Sequence, residues 1–286
     1  MIAVRRCPEP VALANARARL LADAVHQYNA AGAPSAQLTN VLTGYDAAGV
    51  KLSLFEAQRK KCAWCERRRD FSSSPIEHYR PKDGAWRNLP GEPRRLSPGH
   101  YWWLTWTWEN LLFACPRCND RGHKANYFPL TPGTNEAPPP PRPLPPGASL
   151  SGVGTEQPLL LDPATDDFLD HVRWVPSNVE QARRLWTWSP RALSPRGRAT
   201  IDILKLFELA DELQDHLVDH VLCKVEEVEQ HLRGRRTRQA AESWNGVLTL
   251  LEPDRSFTAA TWCALQHWIN DTTLAEWNLP VPRRPR

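Results

Sequence analysis

Two pairs of cysteines, Cys62-Ala63-Trp64-Cys65 and Cys115-Pro116-Arg117-Cys118, restrict this chain more than any other feature. Thiolates at i and i+3 on a tight turn both reach one tetrahedral ion, and two such turns fill all four positions. The fold must then bring two distant turns together around one zinc. A filled shell leaves no open position, so this zinc is expected to be structural. It would clamp a helix over about 48–61 to a helix over 116–126. A redox role for either pair is the weaker rival, because no thioredoxin-like βαβ pattern surrounds them.

The remaining cysteines, Cys7, Cys223 and Cys263, make seven in all. An odd count with one metal site points to a reducing compartment rather than a disulfide framework. No apolar run approaches the roughly 20 residues of a membrane helix. Met1 to Arg6 lead into no apolar stretch, so no secretory signal is expected and the cytoplasm is the expected location. The 286 residues, 41% of them hydrophobic, allow one large core or two modest ones. The net charge is +4, but residues 51–130 hold 15 Lys and Arg against 8 Asp and Glu. That segment is +7 and the rest −3. Positive charge gathered around metal-type residues suits a polyanionic substrate, although a basic solvated face would read the same way.

Helical periodicity covers 9–31, ended by Gly32 and Pro34, and about 48–61. Residues 62–130 read as short strands, loops and one helix starting near Pro116. Residues 131–158, with Pro138-Pro139-Pro140-Pro141, read as a mobile or polyproline-like loop. Leu159-Leu160-Leu161-Asp162-Pro163 reads as a short buried strand, with His171-Val172-Arg173-Trp174-Val175 as its partner. Helical patterns return over 196–233, 236–251 and 257–270, and the Pro/Arg tail from 280 is expected to be loose.

Between and beside the knuckles stand Glu77, His78, Asn110, Asn119 and His123. Their order resembles the HNH (ββα-metal) endonuclease superfamily, in which a hairpin carries an acid-His pair and a helix after the second knuckle carries the last His or Asn. The nine-residue step from Asn110 to Asn119 fits the HNN version. Phosphodiester cleavage needs an activated water, and neutral His78 is suited to be the general base. A hard cation, Mg²⁺ or Mn²⁺, prefers oxygen ligands, for which Glu77 and Asn119 are the candidates. Asn110 would bond the backbone of the other strand and hold His78 in place. His123, four residues after Asn119, would share its helix face and is a candidate further ligand. Arg80, Lys82, Arg117, Arg121 and Lys124 are candidate phosphate contacts. One difficulty is geometric: neighbours on a regular strand face opposite ways, so Glu77 and His78 share a site only on a twisted or bulged strand.

A closer likeness runs through Lys61-Cys62-Ala63-Trp64-Cys65-Glu66, Ile76-Glu77-His78-Tyr79-Arg80-Pro81-Lys82, Tyr101-Trp102-Trp103-Leu104, Trp108-Glu109-Asn110-Leu111-Leu112, Cys115-Pro116-Arg117-Cys118-Asn119 and Tyr127-Phe128-Pro129-Leu130. This succession resembles the PtuB-like HNH subunit of Septu-type and retron-associated anti-phage systems. The region with Leu159 to Pro163, Asp166, Asp167, His171, Arg196, Gly197, Thr200 and Ile201 is similar as well, so the likeness spans about 50–210. It implies a metal-dependent endonuclease acting on nucleic acid, DNA ahead of RNA. It also implies a PtuA-like ATPase subunit or a retron complex as partner. The chain has no phosphate-binding loop of its own, so any ATP dependence comes from another chain.

The expected fold is therefore α+β and mainly helical. A helical segment (1–47) precedes a zinc-stabilised nuclease core (48–130), the Pro/Gly-rich loop (131–158) and a mainly helical region (159–286). The aromatic run Tyr101, Trp102, Trp103, Trp106 and Trp108 is expected in the core rather than as a base-stacking platform. Asp162, Asp166, Asp167 and His171 suggest an Asp-rich turn before a second metal site. The helices after 195, with Trp244, Trp262, Trp268 and Trp277, are a candidate docking platform for the ATPase. Two rivals remain: a catalytically inactive zinc-stabilised nucleic-acid-binding module, and a scaffold subunit.

Overall fold

In a computed structural model, residues 4–145, 147, 148, 150 and 152–285 are described. Helix α1, Val11–Ala31, buries Leu13, Ala24, Val25 and Tyr28 and stops at Gly32, whose φ of 76° suits a residue without Cβ. Helix α2, Ala36–Val41, starts where the Ser35 hydroxyl accepts from the Leu38 amide. Helix α3, Val50–Ala57, buries Val50 and Leu54. Arg59 and Lys60 then take positive φ and turn the chain into the first cysteine pair.

Strand β1, Ile76–His78, pairs antiparallel with the later strand Leu111–Phe113, placing His78 opposite Leu111 and Ile76 opposite Phe113. Between them lie a small pair, β2 (Ala85–Trp86) with β3 (Leu96–Ser97), and two 3₁₀ turns, Trp102–Leu104 and Trp108–Asn110. The strand Leu111–Phe113, β4, leads into helix α4, Pro116–Asn119. The Gln58 side chain joins α3 to β4: its amide donates to the Phe113 carbonyl at 2.7 Å, and its oxygen accepts from the Phe113 amide at 2.8 Å. Tyr101, Trp102, Trp103, Trp106 and Trp108 are all buried, so the aromatic run is core.

Several expectations fail in detail. The helix at Pro116 does not continue to 126. It ends at Asn119 because Asp120 is extended (φ −71°, ψ 159°), in a stretch of poor helix formers that includes Gly122. Residues 159–163 form no strand; Leu160 and Leu161 are buried as irregular chain. Strand β5, Val172–Ser177, instead pairs with β6, Thr187–Ala192, through register Val172↔Ala192 to Ser177↔Thr187. The Pro-rich segment has no helix or strand among its described residues, yet it is pinned. Asn29 exchanges two hydrogen bonds with the Leu144 backbone (2.9 and 2.7 Å), Tyr28 donates to the Pro140 carbonyl at 2.6 Å, and Glu156 accepts from the Ala137 amide at 3.2 Å. Two side chains of α1, and Glu156 from the far end of the segment, take the backbone partners that a polyproline-like chain lacks.

After helix α5, Phe168–His171, and the β5–β6 hairpin, the chain is helical. The helices are α6 (Pro195–Leu204), α7 (Ala210–His216), α8 (Cys223–Arg233), α9 (Thr237–Leu248), α10 (Thr258–Trp268) and α11 (Asp271–Glu276). A π-helical turn, Leu217–Leu222, joins α7 to α8. Trp188, Trp244 and Trp268 are buried, and Trp186, Trp262 and Trp277 are half-buried against the same core. These tryptophans complete a hydrophobic core, so they are no argument for a docking face. No helix is long and apolar enough to cross a membrane among the described residues.

Candidate functional site

The cysteine pairs meet. Cys62, Cys65, Cys115 and Cys118 are buried, and their sulfurs all lie within 4.8 Å of one another. A zinc–sulfur bond of about 2.3 Å puts tetrahedral sulfurs about 3.8 Å apart; Cys65 and Cys115 stand at 3.9 Å. The Cys115 amide donates to the Cys62 sulfur at 3.3 Å, and the Cys118 amide to the Cys115 sulfur at 3.5 Å, as thiolates at such turns require. The donor set therefore fits a structural zinc. The C-terminal helices close over this cluster. Arg67 pairs with Glu212, Lys61 donates to the Arg255 carbonyl at 3.0 Å, and the Ala259 amide donates to Glu66 at 3.1 Å.

The β1–β4 pair and α4 sit directly on the knuckle, which fixes where Glu77, His78 and Asn119 point. All three line one cleft of about 260 Å³, together with Arg121, Lys124 and Asn126. The expected conflict between neighbours is resolved by length. Strand β1 has three residues, all buried, and His78 is its last, so the cleft wraps around the strand's end.

His78 Nε2 lies 3.0 Å from the Thr105 carbonyl, and the Tyr45 ring packs edge-on at 4.6 Å. A carbonyl only accepts, so Nε2 carries the proton and Nδ1 is left with the lone pair. Burial, with Lys82 and Lys124 nearby, pushes the imidazole pKa down to about 3. It is therefore neutral at physiological pH. Asn110 sits behind it. Its Oδ1 accepts from the Arg80 amide at 2.8 Å, and its Nδ2 donates to the Arg80 carbonyl at 3.0 Å and the Leu104 carbonyl at 3.3 Å. The side chain thus ties the residues after His78 to the turn before β4.

Other candidates are placed differently. His123 is held by Glu208 at 3.1 Å and does not line the cleft, because α4 ends before it. Arg80 is paired with Glu156 at 2.8 Å and Arg117 with Glu208 at 3.1 Å. Lys82 lines the cleft, and its ammonium donates to the Leu42 carbonyl at 2.6 Å. Arg121 is exposed and lines the cleft. Lys124, expected as a phosphate contact, is fully buried, pairs with the Glu77 carboxylate and donates to the His78 carbonyl. Burial pushes the Glu77 carboxyl up and Lys124 pulls it back; burial likewise pulls the Lys124 ammonium down. Thr105, Tyr45 and Gln58 were not singled out from the sequence, since no local spacing marks them.

The Asp-rich stretch is a turn. Asp162 accepts from the Ala164 amide at 2.8 Å, Asp166 accepts from the Asp162 amide at 2.7 Å, and Arg196 pairs with Asp166. Among the described residues, the four cysteines are the cluster of His, Cys, Asp and Glu arranged to hold a metal.

No family model matches the chain, and no solved structure matches it. Two proteins of Bacillus mycoides (strain KBAB4) are similar to it. Septu protein PtuB is 37% identical over 136 residues, which is 47% of this chain and 41% of that protein. Septu protein PtuA is 27% identical over 146 residues, 51% of this chain and 17% of that protein. The matched stretches thus cover less than half the length of either curated relative.

Proposed function

We propose that the chain is a metal-dependent HNH endonuclease, hydrolysing phosphodiester bonds of nucleic acid, and that it serves as the effector subunit of an anti-phage defence system. The observation that carries this reading is the convergence of Glu77, His78 and Asn119 on one cleft beside a four-cysteine knuckle. Partial similarity to two Septu proteins supports the defence setting.

In this reading His78 Nδ1 takes a proton from a water that attacks phosphorus, and the bond to the leaving sugar oxygen breaks. A phosphate anion entering the cleft favours protonation of His78, offsetting the field of Lys82 and Lys124. Glu77 and Asn119 would supply oxygens to Mg²⁺ or Mn²⁺, which would offset charge on the phosphate and the leaving oxygen. Arg121 contacts the backbone of the substrate. DNA is the first candidate substrate and RNA the second, as the family resemblance implies. An ATPase subunit, and in a retron setting a retron complex, would govern when it cuts.

One observation favours the catalytically inactive nucleic-acid-binding module as the second reading: Lys124 already occupies the carboxylate. A cleavage assay separates the two. Duplex DNA, single strands and tRNA are incubated with the protein in Mg²⁺ or EDTA, with and without the ATPase partner. Cleavage that needs the divalent ion and is lost in His78→Ala supports the nuclease; binding without cleavage under every condition supports the inactive module.

A further inference from the structure

The side chains of Lys124 and Glu77 are 1% and 6% exposed, and the ammonium pairs with Oε1 of the carboxylate while donating to the His78 carbonyl. A carboxylate this deeply buried is held ionised only by a partner of opposite charge. Among the described residues Glu77 is also the one carboxylate lining the cleft, where it would be needed by a divalent ion. An ammonium and a divalent cation repel each other and cannot share one oxygen in so enclosed a place.

The carrier of this ammonium is a turn rather than a helix. Lys124 follows the end of α4, its amide donating to the Cys118 carbonyl at 3.2 Å, and the next residue, Ala125, has a positive φ of 35°. Lys124 lines the same cleft as Arg121 and Asn126. A lysine placed there has two anionic destinations within reach of one stem: the carboxylate, or a phosphate that enters the cleft.

We propose that Lys124 is the resident cation of Glu77 and competes with the divalent ion for it, so that this lysine sets the protein's metal affinity. The inference rests on the nuclease reading and deepens it. Metal entry releases the ammonium into the cleft, where a polyanion receives it. Metal and nucleic acid consequently assist each other's binding, and linkage makes the assistance mutual. Without nucleic acid the carboxylate stays with the lysine, and the protein holds divalent metal weakly.

The test is Mn²⁺ binding to the full-length, zinc-loaded protein, read from the free-ion signal in electron paramagnetic resonance. Zinc content and circular dichroism establish that each variant is folded. Lys124→Met should bind Mn²⁺ about ten-fold tighter or more, as removing a competing charge next to the ligand requires. Adding Glu77→Gln should abolish that gain. Lys124→Gln keeps a donor for both oxygens without the charge; it should show the same tightening and decides the matter if the Met variant fails to fold. Folded variants that bind Mn²⁺ no better than the wild type, with wild-type binding intact, overturn the competition and leave the nuclease reading standing. If no variant and no wild type binds Mn²⁺, even with duplex DNA present, the metal-dependent reading fails and this inference with it.

Discussion

The Asn110 side chain closes a two-way hydrogen-bond pair with the backbone of Arg80, accepting at 2.8 Å and donating at 3.0 Å. Because Arg80 is two residues beyond His78, this pair holds the end of β1 against the turn that precedes β4. Asn110→Asp replaces the donating nitrogen by an oxygen facing the carbonyls of Arg80 and Leu104. It should cost about 1–3 kcal/mol, the penalty for buried groups left unpaired. Urea unfolding measures this. Cleavage should fall as well, through misplacement of His78, and added Mg²⁺ should not restore it.

The cysteine cluster predicts about one zinc per chain by metal analysis. Cys118→Ser should lower folding and not activity alone, because α4 and the C-terminal helices both rest on the knuckle. Metal-coupled folding is worth roughly 10–16 kcal/mol in isolated zinc-finger peptides. Even half of that is comparable with the roughly 5–15 kcal/mol stability of a typical domain, so chelation of the zinc should lower the unfolding temperature sharply. A variant that melts with the wild type and lacks zinc would contradict a structural role.

Gly197 in α6 lies against the end of α5. A Cβ at this position would meet the His171 carbonyl oxygen at 2.0 Å and its carbon at 2.8 Å. Both are backbone atoms, so the helix itself must shift. Gly197→Ala should destabilise by about 1–3 kcal/mol, as overpacking does, despite alanine's better helix propensity. Thermal unfolding of the variant checks it; an unchanged midpoint would mean that α6 moves freely on the hairpin.

His216 supplies a pH dependence. Its Nε2 lies 3.1 Å from the Thr261 hydroxyl, and burial, with His220 beside it, pushes its pKa down to about 4; Glu66 acts in the opposite direction. Arg67, Arg68, Glu212, Asp215 and Asp219 surround the same depression. The unfolded chain takes up this proton below about pH 6.5, whereas the native state does so only near pH 4. Stability should therefore fall as the pH drops through that window, by on the order of 2 kcal/mol from this group. In His216→Gln that part of the slope should vanish, as equilibrium unfolding at pH 6.5 and pH 4.5 would reveal. The same slope in both proteins would assign it to other groups.

Local spacing alone determined the metal knuckle. Residues three apart on a turn can bind one ion whatever surrounds them, and the fold brings the two pairs together. Periodicity likewise placed α1, α8, α9 and α10, because a long apolar stripe has few other ways to be buried. Glu77, His78 and Asn119 come together because β1 pairs with β4 across the intervening residues and β4 leads straight into α4 on the knuckle.

Tertiary structure decided the rest. The expected strand pairing of 159–163 gave way to β6, since which strands meet is set by packing that no single segment encodes. His123 turned to Glu208 once α4 ended at Asn119, so a helical offset counted along the sequence had no helix to act on. The Pro-rich segment became a pinned strap through Tyr28 and Asn29, partners far away in sequence, and through its own Glu156. Lys124 reads in the sequence as one more basic residue on a cationic stretch. Only burial beside Glu77 makes it the counter-charge of the candidate site, because the need for a partner arises when water is removed from both.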